Sequence, residues 1–551
     1  MRIKLRNLGV LALAVGAMTA CADDLAVGNK NQPDLSKVYS TIGGVEGVIG
    51  SLYRTYHQAT QGGNGEGLSV QSKVMALESY GQVANFGMAL RGGIPRIFIN
   101  NQRANAVAPG NVANWSTLSR LMRSAATVAQ VYDNLTAAGK TTGSISRDQR
   151  MRAFAYFVNG IAMGTLALGY DSVAIATPAT PVSAIPDLMS PDSALAMSMR
   201  ILDTAIILFR STTGPDGGVP AAWLGGVALD TAGMVRLIRT YKAKLRAAIA
   251  RTPAQRAAVD WVAVAADAAA GITANHVISL NGATGWTSGV DASTFQTSAS
   301  WHQISMIYSG MADTSGAYQA FIAQPMASRD GMAVLVRTPD TRWPSGATRA
   351  LQNANTTLPL AAGKYISNRA SGGDQPDNSN PWGTSQYDHR RYYTIQTAAG
   401  IGPMAFITYA EIAMLRAEAL LAPGAQNNPA TAMALVNTQR ATAGLPPFAT
   451  PGSLAPGTTG CVPRLPDNTC GTLREAMKYE KRMETQLTGY MQWFLDSRGW
   501  GDLPLGTSLH WPVPYQEMDA RNLPFYNMPF PGAAGANLGA GPSSYVAQFG
   551  F

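Results

Sequence analysis

The sequence predicts a mainly α protein built from degenerate tetratricopeptide-like helical repeats and interrupted by one loop-rich, irregular insertion. Three observations predict it. Apolar residues recur at three- and four-residue spacing in successive segments. The segments come as pairs at irregular intervals, each pair able to bury its apolar face only against its neighbours. Between residues 273 and about 400, Ser, Thr, Gly, Asn and Pro rise together with Trp and Tyr, which excludes a regular helical array there.

Taken in order, "VEGVIGSLYRTYHQAT" (45–60), "LSVQSKVMALESYGQVANFGMAL" (68–90) and "WSTLSRLMRSAATVAQVYDNLTAAG" (115–139) read as helices, the last stopping at Gly139. In 146–172, Met151, Phe154, Ala155, Val158 and Ala162 share one face, and no charge occurs from Ala153 to Tyr170. That run is near the length of a membrane span, but Asn159, Gly160 and Gly164 make it a helix buried in the stack instead. Ser190-Pro191-Asp192 starts a helix over 190–211, and 234–272 gives two helices broken at Thr252-Pro253. Helical patterning returns at 404–421 and 429–445, joined by "APGAQNN", and in one long helix over 473–501 before a Pro- and Gly-rich tail.

The N-terminus carries an address. Arg2, Lys4 and Arg6 precede an apolar run from Leu8 to Met18, and Met18-Thr19-Ala20-Cys21 has the form of a bacterial lipoprotein processing site. Residues 1–20 then form a signal peptide, Cys21 carries lipid, and 21–44 is a leader from the lipid to the fold; an ordinary secretory leader with a chance cysteine is the alternative. A triacylated cysteine is held far more firmly than a single myristoyl chain, at about 0.8 kcal/mol per buried methylene.

About 530 residues remain, enough for a sizeable core. Net charge is +9 over the whole chain, three of those charges lying in the leader, and no basic run tracks phosphates, so nucleic acid is not an expected partner. Of three cysteines, Cys461 and Cys470 are the pair left to form a disulfide in an oxidising compartment, two free thiols being the alternative. The histidines (57, 276, 302, 389, 510) show no metal-ligand spacing, and no nucleophile elbow, phosphate loop or dinucleotide fingerprint occurs, so no cofactor is expected.

Glu411 and Glu418, seven apart on one helix face, have Arg416 and Arg440 as possible partners. They read as inter-helix ion pairs, as do Glu480, Arg482, Glu484 and Asp496; no carboxylate pair is singled out for glycoside hydrolysis.

Three separated stretches carry a resemblance. "DDLAVGNKNQPD" follows Cys21; "ITYAEIAMLRAEALLAPGAQNNPATAMALVNTQRATAGLPPF" spans 407–448; "LREAMKYEKRMETQLTGYMQWFLDSRGWGDLPLGTSLHWPVPYQEM" spans 473–518. In this order they resemble the SusD/RagB family of surface lipoproteins that bind nutrients for TonB-dependent transporters. Lys30 stands where proline is commoner, Gln492-Trp493-Phe494 departs from the usual Arg-x-x-Asp approach, and the Gly-rich C-terminus is unlike many members. The resemblance implies a SusD-like α-α superhelix comprising a helical part (45–272), a ligand-binding insertion (273–400) and a C-terminal part (401–551). It also implies an outward-facing outer-membrane lipoprotein, not an enzyme, that binds an oligosaccharide and passes it to a SusC-like TonB-dependent partner. A lipid-anchored glycan hydrolase and a helical-repeat envelope scaffold are the alternatives.

Sugar rings stack their C–H faces on aromatic rings and place hydroxyls on planar polar groups. Region 281–393 supplies Trp286, Trp301, Trp343, Trp382 and Tyr387 for the first role and Asn281, Asp374 and Asp377 for the second. Asp374, Asp377 and Asn378 could alternatively ligate calcium, or form a turn cluster.

Overall fold

The computed structural model describes residues 35–61, 67–80, 91–93, 96–105, 108–287, 303–325, 328–369, 384–457 and 460–528. Among them, ten helices of nine residues or more carry the architecture. They are α1 (Ile42–Gln61), α2 (Ala108–Ala137), α3 (Ile145–Gly169), α4 (Pro191–Arg210) and α5 (Thr231–Ala248), then α6 (Trp261–Ala269), α7 (Tyr409–Leu421), α8 (Pro429–Thr442), α9 (Leu473–Thr485) and α10 (Gln492–Trp500). Each packs on the next from α1 through α8, and α9 lies against both α7 and α8. This is the α-α repeat stack the periodicity predicts.

Local chemistry sets the helix starts. Ser144, Ser190, Asp230, Asp260, Thr408 and Asn428 each accept a hydrogen bond from a first-turn N–H, Pro follows Ser190 and Asn428, and Thr472 with Glu475 forms a capping box. Thr252-Pro253 breaks the predicted double helix by capping the short helix Pro253–Ala257.

Three predicted segments are corrected. The helix at 68 ends at Met75, and Leu77 follows with φ 54°. Residues 404–407 belong to a strand, and Thr408 is where that helix starts. The long helix over 473–501 is two, because Leu487, Gly489 and Met491 all adopt positive φ. The Thr488-Gly489 dipeptide was the available signal.

The α6–α7 contact joins helices more than 130 residues apart in sequence, so everything between them leaves the stack and returns to it. Of three two-stranded antiparallel sheets among the described residues, β1 (Val173–Ala174) pairs with β2 (Leu188–Met189), and β4 (Ile366–Asn368) with β5 (Tyr387–His389). The third, β3 (His276–Leu280) on β6 (Gly402–Ile407), clamps the two ends of the excursion together, from His276 opposite Ile407 to Leu280 opposite Gly402. One continuous hydrophobic core runs from Val45 to Met528, and a smaller one around Met414, Val436, Phe448 and Met477 includes Cys461, which is bonded to Cys470 with Cα atoms 5.6 Å apart.

Helix α3 is long and apolar enough to cross a membrane by composition, yet 89% of its apolar window is buried within the protein. The residues that interrupt its apolarity explain why. Asn159, fully buried, donates to the Met122 and Ala176 carbonyls at 2.8 and 3.0 Å. Gly160 and Gly164 let neighbouring helices close in: a Cβ would lie 2.8 Å from Leu202 and 2.6 Å from Leu245. Gly164→Leu is therefore expected to cost about 1–3 kcal/mol by overpacking, read as a lowered urea midpoint.

Candidate ligand-binding site

The aromatic residues chosen from sequence divide into two groups. Trp286, Trp343 and Tyr387 are core residues, 4%, 2% and 0% exposed. Trp286 packs 5.6 Å from His57 and 6.5 Å from Tyr53 on α1. Trp343 sits between Tyr308 at 5.5 Å and Tyr387 at 5.3 Å. The Tyr387 hydroxyl donates to Gln352 Oε1 and accepts from Val336 N–H. None of these rings offers a face to a sugar, which corrects their assignment as ligand contacts. A long insertion with short elements gains its own anchorage from large aromatic side chains buried against the stack. Asn281 likewise works locally, accepting from Ala283 N–H while its own N–H donates to the Trp286 carbonyl. Trp301, Trp382, Asp374, Asp377 and Cys21 lie outside the described residues, as does the calcium alternative. Among the described residues no group of three or more acidic, His or Cys side chains is arranged to hold a metal.

What the structure does place is a junction at which the chain segments bearing Trp301, Asp374, Asp377 and Trp382 begin or end. Tyr80 and Gln303 exchange backbone hydrogen bonds at 2.8 and 2.9 Å. Ile304 N–H donates to the Tyr387 carbonyl, Ser385 Oγ to the Ile304 carbonyl, and Ser305 Oγ to the Leu77 carbonyl at 2.6 Å. Arg369 N–H donates to the Gln386 carbonyl, and Gln386 Nε2 to that of Val334, both at 2.8 Å. Segments 77–80, 303–305, 334–336, 369 and 384–387 thus form one knot. Chain segments 81–90, 288–302 and 370–383, the last two bearing Trp301, Asp374, Asp377 and Trp382, begin or end at it.

The insertion also carries an ionic hub around Arg342, whose carboxylates Glu480 and Glu484 the sequence named as ion-pairing residues without identifying their partner. Arg342, 2% exposed, grips Asp340 with Nη2 at 2.7 Å and Nε at 3.0 Å, and its Nη1 lies 2.9 Å from Glu480 and 3.0 Å from Glu484. Tyr479 donates to Asp340 at 2.6 Å and Tyr365 to Glu484 at 2.8 Å. Arg391, its guanidinium 3.9 Å over the Tyr365 ring, donates to the Met483 and Glu484 carbonyls. Asp340, Arg342, Tyr365 and Arg391 belong to the insertion; Tyr479, Glu480 and Glu484 belong to α9. The hub therefore fastens the insertion to the stack. Burial pushes the Glu480 carboxyl up to about 7, with Arg342 offsetting only part of that. Two glutamates four apart on one helix face, Glu480 and Glu484, were the signal that a cation must come from elsewhere.

The family-like motifs prove structural in the same way. Glu411 pairs with Lys244 at 2.5 Å, and Glu418 with Arg256 at 2.9 and 2.6 Å, so the partners come from α5 and the 253–257 turn instead of Arg416 and Arg440. Arg256 and Lys481 draw the Glu418 carboxyl down to about 2 against its burial. Arg440 donates to the Pro446 and Val462 carbonyls. Asp496 accepts from Lys481, Arg256 and Gln492, and Arg482 pairs with Asp502. Arg498 donates to the Leu168, Ala248 and Leu509 carbonyls at 2.7–2.9 Å, satisfying orphan carbonyls at the ends of α3 and α5.

No protein-family model and no curated protein sequence matches the chain. Solved structures do. The surface glycan-binding protein A from Bacteroides uniformis superposes with a TM-score of 0.54 at 11% identity, over 87% of this chain and 98% of that one. A SusD-like carbohydrate-binding protein from Bacteroides fragilis gives 0.51 at 15%, over 93% and 95%. A laminarin-binding SusD-like protein gives 0.50 at 13%, over 90% and 100%. Over about nine-tenths of its length the chain has the fold of SusD-like proteins.

Proposed function

We propose that this protein is a lipid-anchored, outward-facing outer-membrane lipoprotein that binds a glycan and delivers it to a TonB-dependent transporter, without catalysing a reaction. The observation that carries the glycan reading is the likeness over nearly the full chain to solved proteins described as glycan-, carbohydrate- and laminarin-binding. The knot supports it, because it gathers onto the folded scaffold the ends of the segments that bear Trp301, Asp374, Asp377 and Trp382. The ligand contacts then fall on Trp301 and Trp382, with Asp374 and Asp377 as hydroxyl partners. Cys21 precedes the first described residue by 14 positions, a length of chain that reaches at most about 50 Å when extended.

The purified protein is expected to bind one or more of laminarin, starch, xylan and polygalacturonate in isothermal titration calorimetry. Trp301→Ala and Trp382→Ala should each weaken that binding about tenfold, the worth of one aromatic stack. Equal affinity in both variants would remove these residues from the site, and release of sugar fragments by the protein would make it a hydrolase.

A further inference from the structure

We propose that the neck of the insertion carries a second carbohydrate-binding subsite, formed by Tyr409, Arg236, Asn275 and Thr273, that takes rings of the same glycan; the proposal rests on the glycan-binding reading. A groove of about 510 Å³ lies between the 227–233 turn, Arg236 of α5 and the 272–276 segment leading into β3. That size falls within the range of small-ligand sites.

Its polar groups are unusual for their surroundings. On α5, Arg239 and Arg246 pair with Asp267, Lys242 with Asp203, and Lys244 with Glu411. Arg236 is exposed in the groove and has no ion-pair partner among the described residues. The Asn275 amide is oriented by its neighbour: Oδ1 accepts from Tyr409 N–H at 2.8 Å, which leaves Nδ2 as an outward donor. The Thr273 side chain is exposed beside it.

Tyr409, whose N–H meets the groove residue Asn275, is the ring that would supply the stacking surface next to it. Among the described residues, Tyr409 and Tyr526 are the aromatic side chains with more than a third of their surface exposed, at 39% and 36%. Tyr526 is committed to the Asp171 carboxylate at 2.6 and 2.8 Å. Tyr409 is held only through its backbone, at the first turn of α7 that Thr408 caps. An exposed ring one backbone hydrogen bond from the Asn275 amide, at a groove that also holds a guanidinium and a hydroxyl, is a composition that recognises a sugar ring, and here it sits at one end of the β3–β6 clamp, away from the knot in sequence.

The test is electrophoresis through native gels cast with laminarin, starch, xylan or polygalacturonate. Tyr409→Ala with Arg236→Gln is expected to reduce retardation about tenfold on the polysaccharide that retards the wild type, while calorimetric binding of a short oligosaccharide of that polysaccharide persists. Both side chains are exposed, and an unchanged thermal melt checks that the fold is intact. If the double variant is retarded like the wild type, the second subsite is wrong and the glycan reading stands. If no polysaccharide retards or binds the wild type, both fall.

Discussion

Arg342→Met is expected to lower the urea midpoint by the equivalent of about 3–5 kcal/mol, because it leaves Asp340, Glu480 and Glu484 buried around a vanished counter-charge. The loss should be concentrated where the hub acts. Since Arg342 ties the insertion to α9, limited proteolysis should open the 303–400 region first, below the temperature of global unfolding. Arg342→Lys keeps a charge but not the fork that spans Asp340 and two glutamates, so it should fall between wild type and Met. Adding Glu484→Gln to Arg342→Met removes one stranded charge and should recover part of the stability. Because the Glu480 carboxyl is already raised to about 7, it can take up a proton when its partner is lost; the defect should be smaller at pH 6 than at pH 8. An unchanged midpoint in Arg342→Met would show that the hub contributes nothing.

The helices were legible because their signals are local. Caps at Ser190, Thr252 and Asn428 and the three- and four-residue apolar spacing act within one or two turns, so a single sequence carries them. The apolar span over 153–170 was also readable as a core helix from Asn159 and the two glycines, each of which has a packing role. Partners across the stack were not legible. Glu418 finds Arg256, 162 residues away, and Glu484 finds Arg342, 142 residues away, and nothing in spacing encodes such distances. The same limit produced the error over the tryptophans. A tryptophan in a Gly-, Pro- and Ser-rich stretch looks exposed by local composition, but Trp343 is enclosed by Tyr308 and Tyr387, which arrive from either side in the chain. Conversely Tyr409, inside the 404–421 helical pattern, is exposed. Local composition therefore marks where a loop is, and long-range packing decides which of its rings a ligand can reach.

Acid should unfold this protein well above the pH at which carboxylates alone would demand it. His57, His276, His389 and His510 are 0–4% exposed, and burial is the main cause that lowers the pKa of each. His57 and His276 are held at about 4, with His57 adding to the effect on His276; Arg390 and Arg391 add to it at His389, and Arg251 and Arg498 at His510. The unfolded chain takes up these protons near 6.5 and the folded one does not. Stability is therefore complete above about 6.5 and falls as pH drops toward 4, by about 1.4 kcal/mol per pH unit for each histidine in that window. At pH 5, His57 and His276 alone account for about 4 kcal/mol, a large share of a typical domain's total. Glu480 acts in the opposite sense, since a carboxyl raised to about 7 gains stability as pH falls from 7 toward 4.5, but it is one group against four. Glu418, lowered to about 2, adds its own loss only below about 4.5. Thermal melts between pH 7.5 and 5 should show a steep, monotonic fall in Tm. His276→Phe, which removes one histidine proton from a net uptake of about three on unfolding, should flatten that slope by about a third even if it lowers Tm at neutral pH, where Tyr53 loses its partner 3.1 Å away. A Tm that holds steady from pH 7.5 to 5 would mean that these imidazoles accept protons inside the fold, and with it that the core around Tyr53 and Trp286 admits water.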